Sequence, residues 1–317
     1  MDLPAGQYDL ISLIKSSTTA NVVLVYFGGR PRILRQVEEF ADAILLGFLP
    51  GPSGGKAVAD ILSGFVNPGG KLPITWPKYE DAGGSPYFHA VSDQCNRGEE
   101  NTPLPHFENV PCEVQWPFGF GLSFTHFEYS QLSLSTNRIA YVGSGQSQAK
   151  THSLKVSVSL RNTGSVAGYE TVLFFTFDES RSTTPEYKRL RAFEKLFLQP
   201  GEERTVTATI PVDSLKFVGP HDDTHFILED GLQFRIGVGA ETDCRSDGEA
   251  ANLCSDFVSI DTGNDYIAAC EAACELWTDS GCAETFKLSG KKCVSMCKDV
   301  STNSNVAKHL GEGEDGW

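Results

Sequence analysis

Gln115-Trp116-Pro117-Phe118-Gly119-Phe120-Gly121-Leu122-Ser123-Phe124-Thr125-His126-Phe127-Glu128-Tyr129 divides the chain into two unlike parts. Aromatic rings at 116, 118, 120, 124 and 127 are interleaved with glycines at 119 and 121. Glycine admits backbone angles that other residues resist, and the rings can bury enough area to fix such a turn. Read as physics alone, the stretch is a well-packed junction between two domains.

Upstream of it, residues 1–77 alternate helix and strand. Leu10, Ile11, Leu13 and Ile14 have roughly helical spacing. Asn21 to Phe27 (NVVLVYF) and Ala41 to Leu49 (ADAILLGFL) are nearly continuous apolar runs, as expected of strands buried on both faces. Between Lys56 and Phe65 the side chains of Val58, Ile61, Leu62 and Phe65 form one helical stripe. A short strand is expected from Lys71 to Trp76. Alternating strands and helices imply a largely parallel sheet. Residues 78–122 then read as loop and linker, rich in Pro, Gly, Asn and acids. Cys95 and Cys112 both fall in that loop, so a disulfide closing it is expected.

Downstream, residues 123–240 read as all-β. Leu154, Val156, Val158 and Leu160 alternate with Lys155, Ser157 and Ser159. Turn signals at Asn162-Thr163-Gly164, Pro200-Gly201-Glu202 and Glu229-Asp230-Gly231 separate the runs. Short alternating strands at this density predict a two-sheet sandwich. Residues 241–317 form an acidic tail with 15 Asp plus Glu against 6 Lys plus Arg.

Charge and cysteine usage bound the function. A net charge of −15 argues against nucleic acid, whose phosphates demand a basic face, and against anionic membrane surfaces. No apolar run approaches the roughly 20 residues of a membrane span. Seven of the nine cysteines lie between Cys244 and Cys297. Such clustering points to disulfides and an oxidising compartment. Yet Met1-Asp2-Leu3-Pro4-Ala5 has neither the basic nor the apolar region of a signal peptide. The expectation is that Met1 is an internal methionine of a longer, secreted protein. Cys270 and Cys274, like Cys293 and Cys297, share one face of a helix. Spacing leaves connectivity open, but an antiparallel helical hairpin would join Cys270 to Cys297 and Cys274 to Cys293, leaving Cys282 outside. Zinc is the alternative use of these pairs.

The junction stretch resembles the F-G-x-G-L-S-[YF]-T-x-F-E signature of glycoside hydrolase family 3, the β-glucosidases and β-xylosidases. Other blocks agree in order. Leu3-Pro4-Ala5-Gly6-Gln7 is similar to the family's L-P-x-G-Q, and Ala41-Asp42-Ala43-Ile44-Leu45 with Pro50-Gly51 and Gly54-Gly55 to its A-D-A-I-L…P-G-x-x-G-G. Asn67-Pro68-Gly69-Gly70-Lys71-Leu72-Pro73 is similar to N-P-x-G-[KR]-L-P, and Asn162-Thr163-Gly164 with Ala167-Gly168 and Glu170 to N-T-G-x-x-A-G-x-E. The resemblance covers roughly residues 2–240; the cysteine-rich tail matches nothing in the family. It implies an α/β plus all-β architecture: a partial α/β sandwich domain, a fibronectin-III-like immunoglobulin-type β-sandwich, and a small Cys-rich helical tail.

It also implies what the chain does not hold. Retaining glycosidases use two carboxyls about 5 Å apart, one nucleophile and one acid/base. In this family the nucleophile belongs to an N-terminal barrel and the acid/base lies upstream of the L-P-x-G-Q block. No catalytic residue is therefore carried over, no cofactor or metal is implied, and the β-glucoside or β-xyloside substrate belongs to the full-length protein. Glu38, Glu39, Glu99 and Glu100 read as solvated carboxylates rather than substitutes. A non-catalytic module binding carbohydrate or protein is the alternative. A serine hydrolase is a further one, because Gly51-Pro52-Ser53-Gly54-Gly55 fits G-x-S-x-G between a strand and a helix. Too little chain precedes Ser53 for the usual strands, and Pro52 would constrain the strained turn. Gly28-Gly29-Arg30 reads as a turn, and His221 with His225 as an isolated pair in a β region.

Overall fold

The computed structural model describes residues 2–34, 37–78, 87–88, 114–140, 153–220, 226–240, 242–244 and 253–261. The chain separates into two compact units, and the described residues up to Ile260 belong, Ala140 apart, to the first: Met1–Ile139 with Thr151–Ile260. Glu99, Glu100, His221, His225, Cys95, Cys112, Cys270, Cys274, Cys282, Cys293 and Cys297 lie outside the described residues.

The N-terminal part runs α1 (Ala5–Ser17), β1 (Val23–Phe27), α2 (Val37–Phe40), β2 (Ala43–Phe48), α3 (Gly54–Leu62), β3 (Trp76–Pro77) and β4 (Val114–Trp116). β1 and β2 pair in parallel, Val23 with Ala43 through Tyr26 with Leu46. Their core is Trp76, fully buried and surrounded by Leu34, Val37 and Leu72. The indole N–H of Trp76 donates to the Arg32 carbonyl at 2.8 Å, so the ring is buried without stranding its polar edge. Tyr26 meets it edge-on at 5.5 Å. Trp116 lies 6.2 Å away on the antiparallel partner strand.

Four features depart from the sequence reading. β1 and β2 are half-buried or exposed along their length rather than buried on both faces. Among the described residues they form a two-stranded sheet, and two strands cannot cover both of their own faces. Likewise the α3 stripe is not covered: Leu62 is 54% and Phe65 87% exposed. In addition, the 78–122 linker yields its last residues to the α/β part, because β4 pairs with β3 and Trp116 and Phe120 pack against its core. The expected Lys71–Trp76 strand is reduced to Trp76–Pro77, since the preceding residues turn towards the joint.

The sandwich comprises β5 (Phe127–Leu134), β6 (Arg138–Ala140), β7 (Ser153–Asn162), β8 (Gly168–Ser180), β9 (Arg189–Leu198), β10 (Glu203–Pro211), β11 (Phe217–Val218), β12 (Phe226–Ile227), β13 (Gln233–Val238) and β14 (Val258–Asp261). One sheet has the order β10-β7-β5 and the other β6-β14-β13-β8-β9. The alternation read from β7 is realised: Leu154, Val156, Val158 and Leu160 are all fully buried. β8 is different. Val172 and Phe174 are buried on one face, and Leu173, Phe175 and Phe177 on the other, where they join Phe118, Tyr87 and Cys244. That second face is where the junction stretch docks.

The sandwich does not end at residue 240, where the sequence reading began a separate tail. β14 inserts beside β13, with Phe234 opposite Val258, and Val258 and Ile260 are buried. A disulfide joins Cys244 to Cys254, and Cys254 bridges Gly237 of β13.

Candidate functional site

Three separate stretches of sequence meet where the α/β part joins the sandwich: residues 67–72, 119–125 and 162–170. The first two are stitched by main-chain bonds. Leu72 N–H donates to the Phe120 carbonyl and Gly119 N–H to the Leu72 carbonyl, each at 2.8 Å. Gly119 sits at φ +85°, a conformation that a side chain would strain. Gly121 is required for closeness instead: a Cβ there would stand 2.3 Å from the Gly70 carbonyl oxygen.

Two asparagines organise the polar contacts. The Asn67 carbonyl oxygen accepts from Ser123 Oγ at 2.9 Å and from Phe124 N–H at 2.8 Å, while its amide donates to the Ala167 carbonyl at 3.2 Å. One side chain thus touches all three stretches. Asn162 is fully buried and satisfies both ends of its amide. It accepts from Thr125 Oγ1 at 2.6 Å and Gly164 N–H at 3.1 Å, and donates to the carbonyls of Val166 at 2.8 Å and Leu198 at 3.2 Å. A buried amide with every group matched fixes one arrangement of its surroundings.

Beside these lies an ionic clasp. Lys71 Nζ reaches Glu170 at 3.2 Å and donates to the Gly121 carbonyl at 2.9 Å. The Tyr129 hydroxyl donates to Glu170 at 2.7 Å. The carboxylate is only 8% exposed and the ammonium 19%. Burial, and then the neighbouring Glu170 charge, push the Tyr129 phenol well above its ordinary range, so it remains a donor. The three groups border a cavity of about 380 Å³. Of the described side chains lining it, only Glu170 carries a carboxyl, and that carboxylate is engaged by a lysine and a tyrosine. Such a cluster fastens two domains; it does not offer the pair of carboxyls that glycoside hydrolysis requires.

The remaining candidates gain no chemistry. Ser53 follows Gly51 in a short 3₁₀ turn and has φ −88° and ψ 1°, an unstrained geometry unlike a nucleophile elbow. It is exposed, and its hydroxyl makes no capping bond. Among the described residues the one histidine is His126, whose carbonyl pairs with Thr163 in the sandwich. Glu38 accepts a bond from Gln115, and Glu39 is exposed on the same short helix. The asparagine hubs and the clasp were not singled out from sequence as functional residues, although Asn67, Lys71, Asn162 and Glu170 all stand inside motif blocks. Polar residues repeated at fixed places among turn glycines were the available signal.

Comparison with known proteins agrees with this anatomy. Residues 1–124 match the glycosyl hydrolase family 3 C-terminal domain, and residues 170–242 the fibronectin type III-like domain. The chain is 34% identical over 218 residues to a periplasmic beta-glucosidase of Salmonella typhimurium, covering 68% of this chain and 27% of that protein. It is 37% identical over 223 residues to a lysosomal beta glucosidase of Dictyostelium discoideum, covering 69% and 25%. A beta-xylosidase of Formosa agariphila is 32% identical over 249 residues, covering 76% and 31%. The crystal structure of a beta-glucosidase from Listeria innocua superposes with a TM-score of 0.67 at 28% identity, covering 82% of this chain and 33% of that one. The chain thus spans about a quarter to a third of the length of these relatives. The joint, the two domains in their order and these relatives together place the chain in glycoside hydrolase family 3, of which it holds the C-terminal domain and the fibronectin type III-like domain.

Proposed function

We propose that these 317 residues are the C-terminal portion of a longer β-glucosidase or β-xylosidase that removes terminal β-linked glucose or xylose with retention. Both catalytic carboxylates would lie outside the chain, which would by itself be inactive. The observation that carries this reading is the joint. The family's motif blocks converge there on a hydrogen-bonded structural clasp, and none of its groups forms a carboxyl pair. The chain's part in the parent enzyme is to form one rigid support from two domains. The parent is proposed to work outside the cytosol. The Cys244–Cys254 disulfide and the periplasmic and lysosomal relatives support that location.

Two assays test the proposal. Purified 1–317 should release no p-nitrophenol from the β-glucoside or β-xyloside above a buffer blank. A chimaera carrying these residues in place of the matching part of the Salmonella enzyme should hydrolyse one of the two substrates. Turnover by 1–317 itself would overturn the proposal, as would a folded but inactive chimaera.

A further inference from the structure

The sandwich carries a second cavity, of about 730 Å³, between the β8–β9 connection and the β11–β12 hairpin. Its volume falls within the roughly 300–1,000 Å³ typical of small-molecule sites. The floor is built from ion pairs. The Arg181 guanidinium, 5% exposed, stands 3.2 Å from Asp178 and 2.8 Å from Glu186, and lies 4.4 Å above the Phe217 ring. Arg189 meets Glu186 at 2.9 Å, and Lys216 meets Asp213 at 2.6 Å. Each cation thus has a carboxylate within ion-pair distance, so the cavity offers a dense set of donors and acceptors with little net field. An anion would meet Glu186 and Asp213, and a cation would meet Arg181, Arg189 and Lys216. Neither is favoured.

The wall is apolar. Phe226 is 70% exposed and Val218 39%, and the two are cross-strand partners on the short hairpin. A large ring left this open beside charged groups does not serve the core. Arg189 and Asp213, 42% and 71% exposed, present polar heads to the same opening. A ligand that suits both surfaces needs many hydroxyls on its edges, one apolar face and no charge. We propose that this cavity is a binding site for a neutral saccharide. One face of a sugar ring rests on Phe226, while Arg189 donates to its hydroxyls and Asp213 accepts from them. The site needs no catalytic residue, so it stands or falls separately from the function proposed above.

Affinity electrophoresis of the full 1–317 chain tests it, with laminarin, barley β-glucan, xylan, dextran or anionic dextran sulfate cast in the gel. At least one neutral glycan should retard the chain. Phe226→Ala and Arg189→Ala should each weaken that retardation by roughly tenfold, as expected for losing one buried ring or one good polar contact. Phe193→Ala, which removes an equally exposed ring on β9, should leave it unchanged. Thermal melts run alongside, and Phe226→Leu, which keeps apolar bulk without the ring, replaces the alanine variant if that one melts early. Absence of retardation by every neutral glycan would overturn the site. So would retardation by dextran sulfate alone, or equal retardation of wild type and the Phe226 and Arg189 variants.

Discussion

Gly121 and Gly55 make opposite demands on the same substitution. An added Cβ at Gly121 meets a main-chain oxygen at 2.3 Å, so two chain segments must part. Gly121→Ala should lower stability by about 1–3 kcal/mol, the usual range for overpacking. Gly55 is exposed within α3 with nothing near its Cβ position, so Gly55→Ala should stabilise by about 0.5–1 kcal/mol. Urea unfolding of the two variants gives both signs. Glu186 supplies a pH test. Burial alone would raise its carboxyl, but its own backbone N–H and the charges of Arg181 and Arg189 outweigh that and hold it below the ordinary range. A depressed carboxyl contributes stability above its unfolded value, about 4.3, and loses it as pH falls through the folded value. The wild type should therefore melt above Glu186→Gln near neutral pH. The gap should close below about pH 4.3, and thermal melts across that range check it. At this scale sequence was partly legible: the motif residues were visible, but the partner of each was not, because Lys71 and Glu170 are brought together only by the folded joint.

Strands were legible where they carried their own pattern and hidden where a neighbour supplied the reason. β7 shows period-two alternation over ten residues and needs no partner to be recognised. β14 is four residues long and stands in an acidic, polar segment. It becomes a strand because Phe234 and Asn137 offer main-chain groups on either side of it. The Ser259 N–H donates to Asn137 and the Ile260 N–H to Leu232, so β14 bridges β6 and β13. A boundary at 240 would remove Val258 and Ile260 from the core and leave the β13 edge unpaired. A chain ending at 261 should consequently melt well above one ending at 240. Reduction of Cys244–Cys254 should cost part of the difference, on the order of 2–3 kcal/mol for so short a loop. Equal melting of the two truncations would show that β14 adds nothing to the sandwich.

The molecule as a whole is unevenly finished. The sandwich covers its core on both sides, but the α/β part does not. α1 turns Tyr8 and Ile11 towards the Trp76 core, while Leu10, Leu13 and Ile14, at helical spacing on the opposite face, are 56%, 63% and 42% exposed. A helix apolar on both sides is normally buried between two layers. β1 ends in Phe27 at 51% exposure, and α3 is followed by Phe65 at 87%. The continuous apolar runs suggested two-sided burial, and the described residues contain no second layer to supply it. Exposed apolar area on this scale favours association. Purified 1–317 should accordingly bind a hydrophobic dye such as ANS and self-associate as its concentration rises. The double variant Leu13→Glu with Phe65→Asp should suppress both effects. It should leave the melting temperature within about 2 °C of wild type, because exposed side chains away from the core contribute within roughly 0.5 kcal/mol. Sedimentation velocity across a concentration series, with dye titration on the same samples, measures the effect. A wild-type chain that stays monomeric and dye-free would mean that the α/β part closes over these side chains by itself.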